Sequence, residues 1–226
     1  MIFSRIQQAD AATHSAYTIQ NELAKDRTVL WLVSGGSAIP IQVAIMQRLA
    51  VEVPAKLANL TILPIDERYG LASHADSNSE QMRQAGFEPG PAKWFDILQG
   101  GGSLRETLER YEALVEDSFA QAKTVIATFG LGADGHTAGI LPDSPAALDS
   151  AATVIGYDWS DFKRMTLGLA QLQQIDRAFV LAYGEAKCAA LRRLHDNQDP
   201  LSSLPAKVLY DIPSVTVYND CIESEG

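Results

Sequence analysis

Short apolar runs alternate with longer amphipathic stretches along this chain, and this alternation is the feature that most constrains its fold. We predict buried strands at 29–33, 60–65 and 124–129, because continuous apolar runs suit a sheet covered on both faces. Further strands are predicted at 165–169, 178–182 and 215–218, and helices at 6–25, 41–49, 104–122 and 185–195. The pattern predicts an α/β fold: a single domain over residues 1–226 with a Rossmann-like, mostly parallel sheet and helices on both faces.

The charge balance restricts the partners of the chain. The 226 residues carry a formal net charge of −10, which disfavours binding to nucleic acid or to anionic membranes. An anionic small molecule is compatible with this charge, because local donors in a cleft can outweigh the global field. The N-terminus lacks the features of a secretory signal, and no apolar run approaches the ~20 residues that span a bilayer. We expect a soluble, cytoplasmic protein with a small-molecule ligand, and no motif indicates its oligomeric state.

The two cysteines, Cys188 and Cys221, do not have the spacing of a metal site. Cys188 falls in a predicted helix, where we expect a buried free thiol. Free cysteines are typical of a reducing compartment, which agrees with the cytoplasmic expectation.

The segment 130–142, Gly-Leu-Gly-Ala-Asp-Gly-His-Thr-Ala-Gly-Ile-Leu-Pro, is the most informative stretch for function. It follows a predicted strand, and its glycines permit a tight turn that brings the backbone close to a ligand. The turn presents Asp134 and His136 at the carboxyl edge of the sheet, where open α/β sheets bind ligands. A histidine there suits proton transfer near neutral pH. On spacing alone, a purely structural role for His136 is an equal alternative.

Ser34, Gly35, Gly36 and Ser37 end another predicted strand and lead into a helix. The small residues expose backbone N–H groups, and the helix N-terminus adds partial positive charge, so the loop suits a phosphate. The alternative is an ordinary strand-to-helix turn with Ser37 near the cap position. Because the loop matches neither the Walker A motif nor the dinucleotide fingerprint, no nucleotide cofactor is indicated.

Charged and polar side chains stand at the remaining strand ends. Arg68, which follows Asp66 and Glu67, can grip a phosphate or a carboxylate with its planar fork. A local ion pair on a solvated loop is the alternative for this triplet. A parallel sheet brings such strand ends to one edge, which favours a shared site. The other candidates, each with a structural or solvated alternative, are His74, Asn78, Arg164 and Lys187.

Taken in chain order, these segments resemble the 6-phosphogluconolactonase family. The resemblance covers roughly residues 29 to 219, and the Asp-Gly-His-Thr block is its most specific part. It rests on Ser34-Gly35-Gly36-Ser37, Asp66-Glu67-Arg68 with His74 and Ser77-Asn78, the block 130–138, Arg164-Met165-Thr166-Leu167 and Gly184-Glu185-Ala186-Lys187.

The resembled family shares its fold with glucosamine-6-phosphate deaminases, and Leu141 separates the two patterns. The deaminases typically continue from Asp-Gly-His-Ile-Ala into Phe-Asn-Glu-Pro, and Leu141 stands at the position of that glutamate. Arg68 directly after Asp66-Glu67 is also similar to the lactonase pattern. The chain departs from typical lactonases at Gly70-Leu71, where Val-Pro is usual, at Gly168, where Thr is usual, and at Ile140-Leu141, where Leu-Phe is usual. These departures affect loop shape, on which substrate detail and rate depend.

The resemblance implies hydrolysis of 6-phosphoglucono-δ-lactone to 6-phosphogluconate without a metal or another cofactor. It implies that His136 activates water as a general base, while Asp134 either orients the imidazole or only shapes the turn. The loop at 34–37, Arg164 and Lys187 hold the phosphate in this hypothesis, and Arg68 contacts either the phosphate or the developing oxyanion. Two alternatives stay open: an amino-sugar-phosphate deaminase or isomerase with Asp66 as the base, and a non-catalytic sugar-phosphate sensor.

Overall fold

The structure is a computed structural model that describes residues 1–160 and 162–223. Its strands are β1 (Ile2–Arg5), β2 (Val29–Val33), β3 (Leu60–Pro64), β4 (Asp66–Arg68), β5 (Lys93–Trp94), β6 (Thr124–Gly130), β7 (Val154–Trp159), β8 (Phe162–Leu167), β9 (Arg177–Ala182) and β10 (Ser214–Asn219). Its helices are α1 (Gln8–Ala24), α2 (Ile39–Glu52), α3 (Asn78–Gln84), α4 (Leu104–Gln121), α5 (Pro145–Leu148), α6 (Leu169–Leu172) and α7 (Cys188–Asp196). Four 3-10 turns in the described ranges complete it: Gly36–Ala38, Pro54–Asn59, Glu185–Lys187 and Pro205–Asp211.

The central sheet is parallel, and its strand order is β1-β10-β9-β6-β2-β3-β5. From β2 the chain moves outward on one side to β3 and β5, and it then returns to β6 on the other side of β2. The order therefore reverses between β2 and β6, and a crevice forms beyond the carboxyl ends of strands at such a switch point. The predicted α/β fold with a mostly parallel sheet is confirmed, whereas the extent of one domain over residues 1–226 stays a prediction.

The central strands are apolar because the sheet is buried on both faces. All five residues of β2 are buried. Successive side chains of a strand alternate between faces, so Trp31 packs into the core under α1 and α2, while Leu30 and Leu32 pack into the core on the opposite face. Tyr111 and Val115 of α4 also belong to the core that contains Leu30 and Leu32. Helices thus cover both faces, as the alternation of apolar runs predicts.

A second, three-stranded antiparallel sheet with the order β4-β8-β7 corrects one part of the sequence prediction. The strand predicted at 165–169 is β8, which begins earlier and belongs to this sheet rather than to the parallel one. Its partner β4 consists of Asp66, Glu67 and Arg68, which the sequence pattern places at a strand end. In the observed register, Asp66 pairs with Thr166 and Arg68 with Arg164.

The predicted free thiol at Cys188 is wrong, because Cys188 and Cys221 form a disulfide. Their Cα atoms lie 5.6 Å apart across a sequence separation of 33 residues. The reason lies in the topology: α7 begins just after β9, and Cys221 follows β10, which pairs with β9 through Asn219 and Ala182. Spacing along the chain does not show this proximity.

None of the helices in the described ranges is both long and apolar enough to cross a membrane.

We expect reduction of the Cys188–Cys221 disulfide to lower the thermal unfolding midpoint. The bond closes a loop between residues 33 positions apart, and chain entropy gives about 3–4 kcal/mol for a loop of that size. Circular dichroism with and without a dithiol reductant measures the midpoint. The double variant C188S/C221S is the control and should unfold at the lower midpoint in both buffers. Equal midpoints for oxidised and reduced wild type contradict this contribution to stability.

Candidate active site

A cavity of about 210 Å3 opens at the carboxyl ends of β2 and β6, where the strand order reverses. Nine of the residues that the sequence singles out lie in its wall, so the structure brings most of the candidates together. Asp134, His74 and Asn78 lie outside the wall and contact residues within it. The nine are Ser34, Gly35, Gly36, Ser37, Asp66, Arg68, His136, Arg164 and Lys187.

The loop after β2 forms one end of the cavity. It leads through the 3-10 turn Gly36–Ala38 into α2, and the first N–H groups of such a helical start have no intrahelical acceptor. Ser34 is buried, and its Oγ has no hydrogen-bond partner within the described chain. Gly35 packs directly on the Asn78 amide, which a Cβ at this position would strike. The loop therefore offers hydrogen-bond donors to an anion, as its composition predicts.

Gln42 on α2, which the sequence analysis missed, fixes this loop through hydrogen bonds to the Ser34 backbone. The side-chain amide of this buried residue donates to the Ser34 carbonyl oxygen at 2.6 Å, and its Oε1 accepts the Ser34 N–H at 2.9 Å. Thr128 on β6 donates to the same Oε1 at 2.6 Å, and Trp31 donates its Nε1–H to Thr128 Oγ1 at 3.1 Å. The network ties the loop to β6. A glutamine among the apolar residues of α2 is the one signal that could have found it.

Asp66 and Glu67 have different environments although they are neighbours. Asp66 lines the cavity, and Asn78 Nδ2 donates to its backbone oxygen at 2.9 Å and to its Oδ2 at 3.1 Å. Glu67 is fully buried and accepts hydrogen bonds from three backbone N–H groups and from the Ser77 hydroxyl. Burial raises the pKa of Glu67, and these hydrogen bonds act in the opposite direction. Glu67 therefore fixes the start of α3, because its carboxylate accepts the N–H groups of Asn78 and Ser79 there.

Arg68 and Arg164 lie side by side in the cavity wall as register partners of β4 and β8. Their Cζ atoms lie 5.5 and 5.4 Å from the centroid of the Phe162 ring. Arg68 Nη1 donates to the Asp76 carbonyl oxygen at 2.9 Å. His74 Nε2 lies 2.9 Å from the Arg68 carbonyl oxygen, so His74 braces the loop that follows Arg68 instead of lining the cavity.

His136 reaches the cavity from the loop after β6, and Asp134 holds its ring. Asp134 Oδ1 lies 2.7 Å from His136 Nδ1 and accepts the His136 backbone N–H at 3.1 Å. This leaves Nε2 as the ring nitrogen available to a ligand. Burial raises the pKa of Asp134, but the hydrogen bonds and the charge of His136 outweigh burial and hold this pKa below its usual range. The ionised carboxylate stabilises a protonated imidazole.

The second sheet fixes the turn that follows His136. Ala138 and Gly139 have positive φ angles of 54° and 65°. Thr166 donates its hydroxyl to the Ala138 carbonyl oxygen at 2.5 Å, and Tyr157 donates to the Gly139 carbonyl oxygen at 2.5 Å. A Cβ at Gly139 would lie 2.7 Å from the Cβ of Asp66. Glycine therefore permits both the turn and the close approach of Asp66.

Lys187 reaches the cavity from the turn after β9, where Gly184 has a φ of 100°. Its Nζ donates to the Leu131 carbonyl oxygen, and burial lowers the pKa of Lys187. The Asp220 carboxylate accepts the Gly184 N–H at 3.2 and 3.1 Å. The segment after β10 thus fixes the turn that presents Lys187, a contribution absent from the sequence prediction.

The cavity joins three cations, one imidazole and one carboxylate: Arg68, Arg164, Lys187, His136 and Asp66. This set suits an anionic ligand next to a group that can transfer protons. Over the described ranges, no group of three or more His, Cys, Asp or Glu side chains is arranged to hold a metal ion.

A parallel sheet with a cationic cavity at its switch point defines a class of α/β proteins suited to phosphorylated ligands. Within that class, the chain belongs to the family described as glucosamine-6-phosphate isomerases/6-phosphogluconolactonase, whose model matches residues 6–217. The resemblance derived from the sequence is thereby confirmed.

The individual relatives include a 6-phosphogluconolactonase and a glucosamine-6-phosphate deaminase. The chain is 29% identical over 195 residues to a 6-phosphogluconolactonase of Pseudomonas aeruginosa, covering 82% of this chain and 79% of the relative. It is 23% identical over 241 residues to a glucosamine-6-phosphate deaminase of Staphylococcus saprophyticus, covering 96% and 97%. The crystal structure of a 6-phosphogluconolactonase from Shewanella baltica matches with a TM-score of 0.81 at 19% identity and covers 97% of both chains. This last likeness shows the fold alone.

We expect Gln42→Leu to lower the free energy of unfolding by about 1–3 kcal/mol, because it leaves the buried Ser34 N–H and carbonyl groups without their partners. Binding of inorganic phosphate should weaken as the loop shifts. Urea denaturation and isothermal titration calorimetry measure the two effects. Gln47→Leu, on the exposed side of the same helix, is the matched control. Wild-type stability and phosphate binding in the Gln42 variant would show that the network does not hold the loop.

Proposed function

We propose that this protein hydrolyses 6-phosphoglucono-δ-lactone to 6-phosphogluconate, the hydrolytic step of the oxidative pentose phosphate pathway. The observation that carries the proposal is the paired His136 and Asp134, 2.7 Å apart, next to a cavity lined by three cations. Family membership supports the substrate class, because the family description names this activity. The P. aeruginosa relative carries the same name.

In the proposed reaction, His136 acts as a general base. Its Nε2 accepts a proton from a water molecule, and the water oxygen attacks the lactone carbonyl carbon. The tetrahedral intermediate then collapses with cleavage of the bond to the ring oxygen, which leaves as an alkoxide. The protonated imidazole returns its proton to that oxygen, so the net reaction consumes one water and opens the ring. General acid–base catalysis of this kind typically contributes 10²–10⁴-fold.

Asp134 serves as the orienting acid in this proposal. Its hydrogen bond to Nδ1 keeps the Nδ1–H tautomer, in which Nε2 carries the lone pair that accepts the proton. Its carboxylate charge stabilises the imidazolium that forms when the water is deprotonated. The second hydrogen bond, to the His136 backbone, supports the alternative that Asp134 shapes the turn, and one carboxylate oxygen serves both purposes.

The cations and the loop after β2 hold the phosphate in this proposal. Arg164 and Lys187 supply charge, and Ser34 with the first N–H groups of the 3-10 turn supplies hydrogen-bond donors. We assign Arg68 to the phosphate as well, because its guanidinium shares the Phe162 ring with that of Arg164. Asp66, the carboxylate of the cavity wall, accepts hydrogen bonds from sugar hydroxyl groups.

Leu141 favours the lactonase over the deaminase within the family. The deaminase pattern has a glutamate at this position, and here the side chain is half-buried and packs on the apolar core. In the described chain, Asp134 is the carboxylate that contacts His136. Leu141 has no acidic group, so it cannot supply the second carboxylate that the deaminase pattern places in the proton relay. The Cys188–Cys221 disulfide removes the free-cysteine argument for a cytoplasmic location, because disulfides are uncommon in reducing compartments.

We expect His136→Ala to reduce kcat for lactone hydrolysis by about 10²–10⁴-fold, because the general base is lost. Asp134→Asn should also reduce kcat, by up to about 10⁴-fold, because an amide can donate to Nδ1 and so favour the Nε2–H tautomer, which has no lone pair on Nε2 for the proton. The assay follows freshly generated lactone, with spontaneous hydrolysis subtracted. His195→Ala on α7, outside the cavity, is the matched control. A folded His136 variant with wild-type turnover rules out the general-base role.

We expect the wild-type protein to release no ammonia from glucosamine 6-phosphate, because Leu141 cannot support the proton relay of a deaminase. A coupled ammonia assay run beside the lactone assay measures this. Ammonia release without lactone hydrolysis supports the deaminase alternative, with Asp66 as the base. Binding of 6-phosphogluconate without either activity supports a non-catalytic sugar-phosphate sensor.

A further inference from the structure

We propose that Phe162 is a positioning residue that holds Arg68 and Arg164 together as one phosphate-binding pair. The inference deepens the proposed function and rests on it for the identity of the phosphorylated ligand. Phe162 lies outside the cavity wall, and no sequence motif singles it out. Its role follows from the two guanidinium groups that share its ring.

The register of the second sheet creates this arrangement. Arg68 and Arg164 are directly paired across β4 and β8, and Phe162 precedes Arg164 by two residues on β8. Residues two apart on a strand share a face, so the Phe162 ring lies beside Arg164 and diagonally from Arg68. The Cζ atoms of Arg68 and Arg164 are 5.5 and 5.4 Å from the ring centroid, within the range of cation–π attraction.

Two like charges placed opposite each other across an antiparallel pair repel, and such a pair destabilises a sheet unless something offsets it. The negative face of the Phe162 ring attracts both guanidinium groups and so reduces this cost. On the other side of Arg68, the Asp76 carbonyl oxygen accepts a hydrogen bond from Nη1 at 2.9 Å. The Arg68 Nε is buried and has no hydrogen-bond partner in the described part of the chain. A guanidinium held in this way is oriented and keeps a donor for a ligand.

The Phe162 ring therefore affects binding of the phosphorylated ligand and not cleavage of the lactone bond. An oriented pair loses less side-chain freedom when the ligand arrives, and this raises affinity. A contact to the phosphate is the same in the bound substrate and in the transition state, so its loss raises KM and leaves kcat unchanged. An effect on kcat instead of KM would place one of the two arginines at the lactone carbonyl.

The test compares Phe162→Leu, which keeps an apolar side chain but removes the ring, with Phe162→Tyr, which keeps the ring. Phe119→Leu, a half-buried phenylalanine on α4 away from the cavity, is the matched control. Isothermal titration calorimetry with inorganic phosphate gives Kd, and lactone hydrolysis gives KM and kcat. We expect Phe162→Leu to raise Kd and KM about five- to tenfold, with kcat within about twofold of wild type. Phe162→Tyr and Phe119→Leu should stay close to wild type.

Three results overturn the inference: unchanged phosphate affinity in Phe162→Leu, an equal loss in Phe162→Tyr, or a lower kcat with unchanged KM. A reduced unfolding midpoint with wild-type phosphate affinity likewise shows a structural role only. The phosphate titration does not depend on the lactone. If the wild type fails to hydrolyse the lactone, the proposed function fails, while the affinities of the variants for phosphate still decide the role of Phe162. A wild type that does not bind phosphate overturns both.

Discussion

The two hydrogen bonds between Gln42 and the Ser34 backbone are the interaction on which the cavity depends. Strands β2 and β6 remain paired up to Val33 and Thr128, and beyond that point their loops must separate, because the strand order reverses between them. The separation opens the crevice, but it also removes backbone groups from the sheet while they are still buried. Gln42 satisfies both groups of Ser34, and Thr128 joins the same amide from β6. The polar network thus allows a crevice to open inside an apolar core without unpaired backbone groups.

The second sheet continues from the end of the parallel sheet and positions the other side of the cavity. Ile65 connects the two sheets: its N–H donates to Val33 at the end of β2, and its carbonyl oxygen accepts from Leu167 and from the Tyr111 hydroxyl. From this junction β4 and β8 run antiparallel, which places Arg68 against Arg164. Two further side chains of this sheet, Tyr157 and Thr166, hold the turn after His136. Arg68, Arg164 and the turn after His136 are therefore positioned by one set of strands, although they come from distant parts of the chain.

The strands at 29–33 and 124–129 can be predicted almost to the residue, because a buried parallel strand needs a continuous apolar run. Strand β4 cannot be predicted in this way, since Asp66-Glu67-Arg68 has the composition of a loop and becomes a strand only by pairing with β8 about 100 residues later. The same limit applies to the site. Motifs at strand ends identify most residues of the cavity wall, yet Gln42, Phe162 and the Cys188–Cys221 pair depend on contacts between segments far apart in sequence. His74 and Asn78 lie outside the cavity wall and hydrogen-bond to Arg68 and Asp66, and their contact with a ligand stays a prediction.

The departures from the lactonase pattern at Gly70 and Gly168 are explained by local packing. A Cβ at Gly70 would lie 2.8 Å from the His74 ring, and a side chain at Gly168 would strike the Ala152 carbonyl oxygen. At Gly70 the glycine makes room for His74, whose ring bonds to the Arg68 carbonyl and so closes the loop from 70 to 77 onto the cavity wall. The cations and the imidazole are unaffected by either change, whereas the shape of the wall beside Arg68 depends on the first. Selectivity among phosphorylated lactones should therefore depend on the shape of the wall beside Arg68 and on the Asp66 carboxylate, because the charges would attract any phosphorylated sugar, whereas shape and hydrogen bonds to hydroxyl groups distinguish one ring from another.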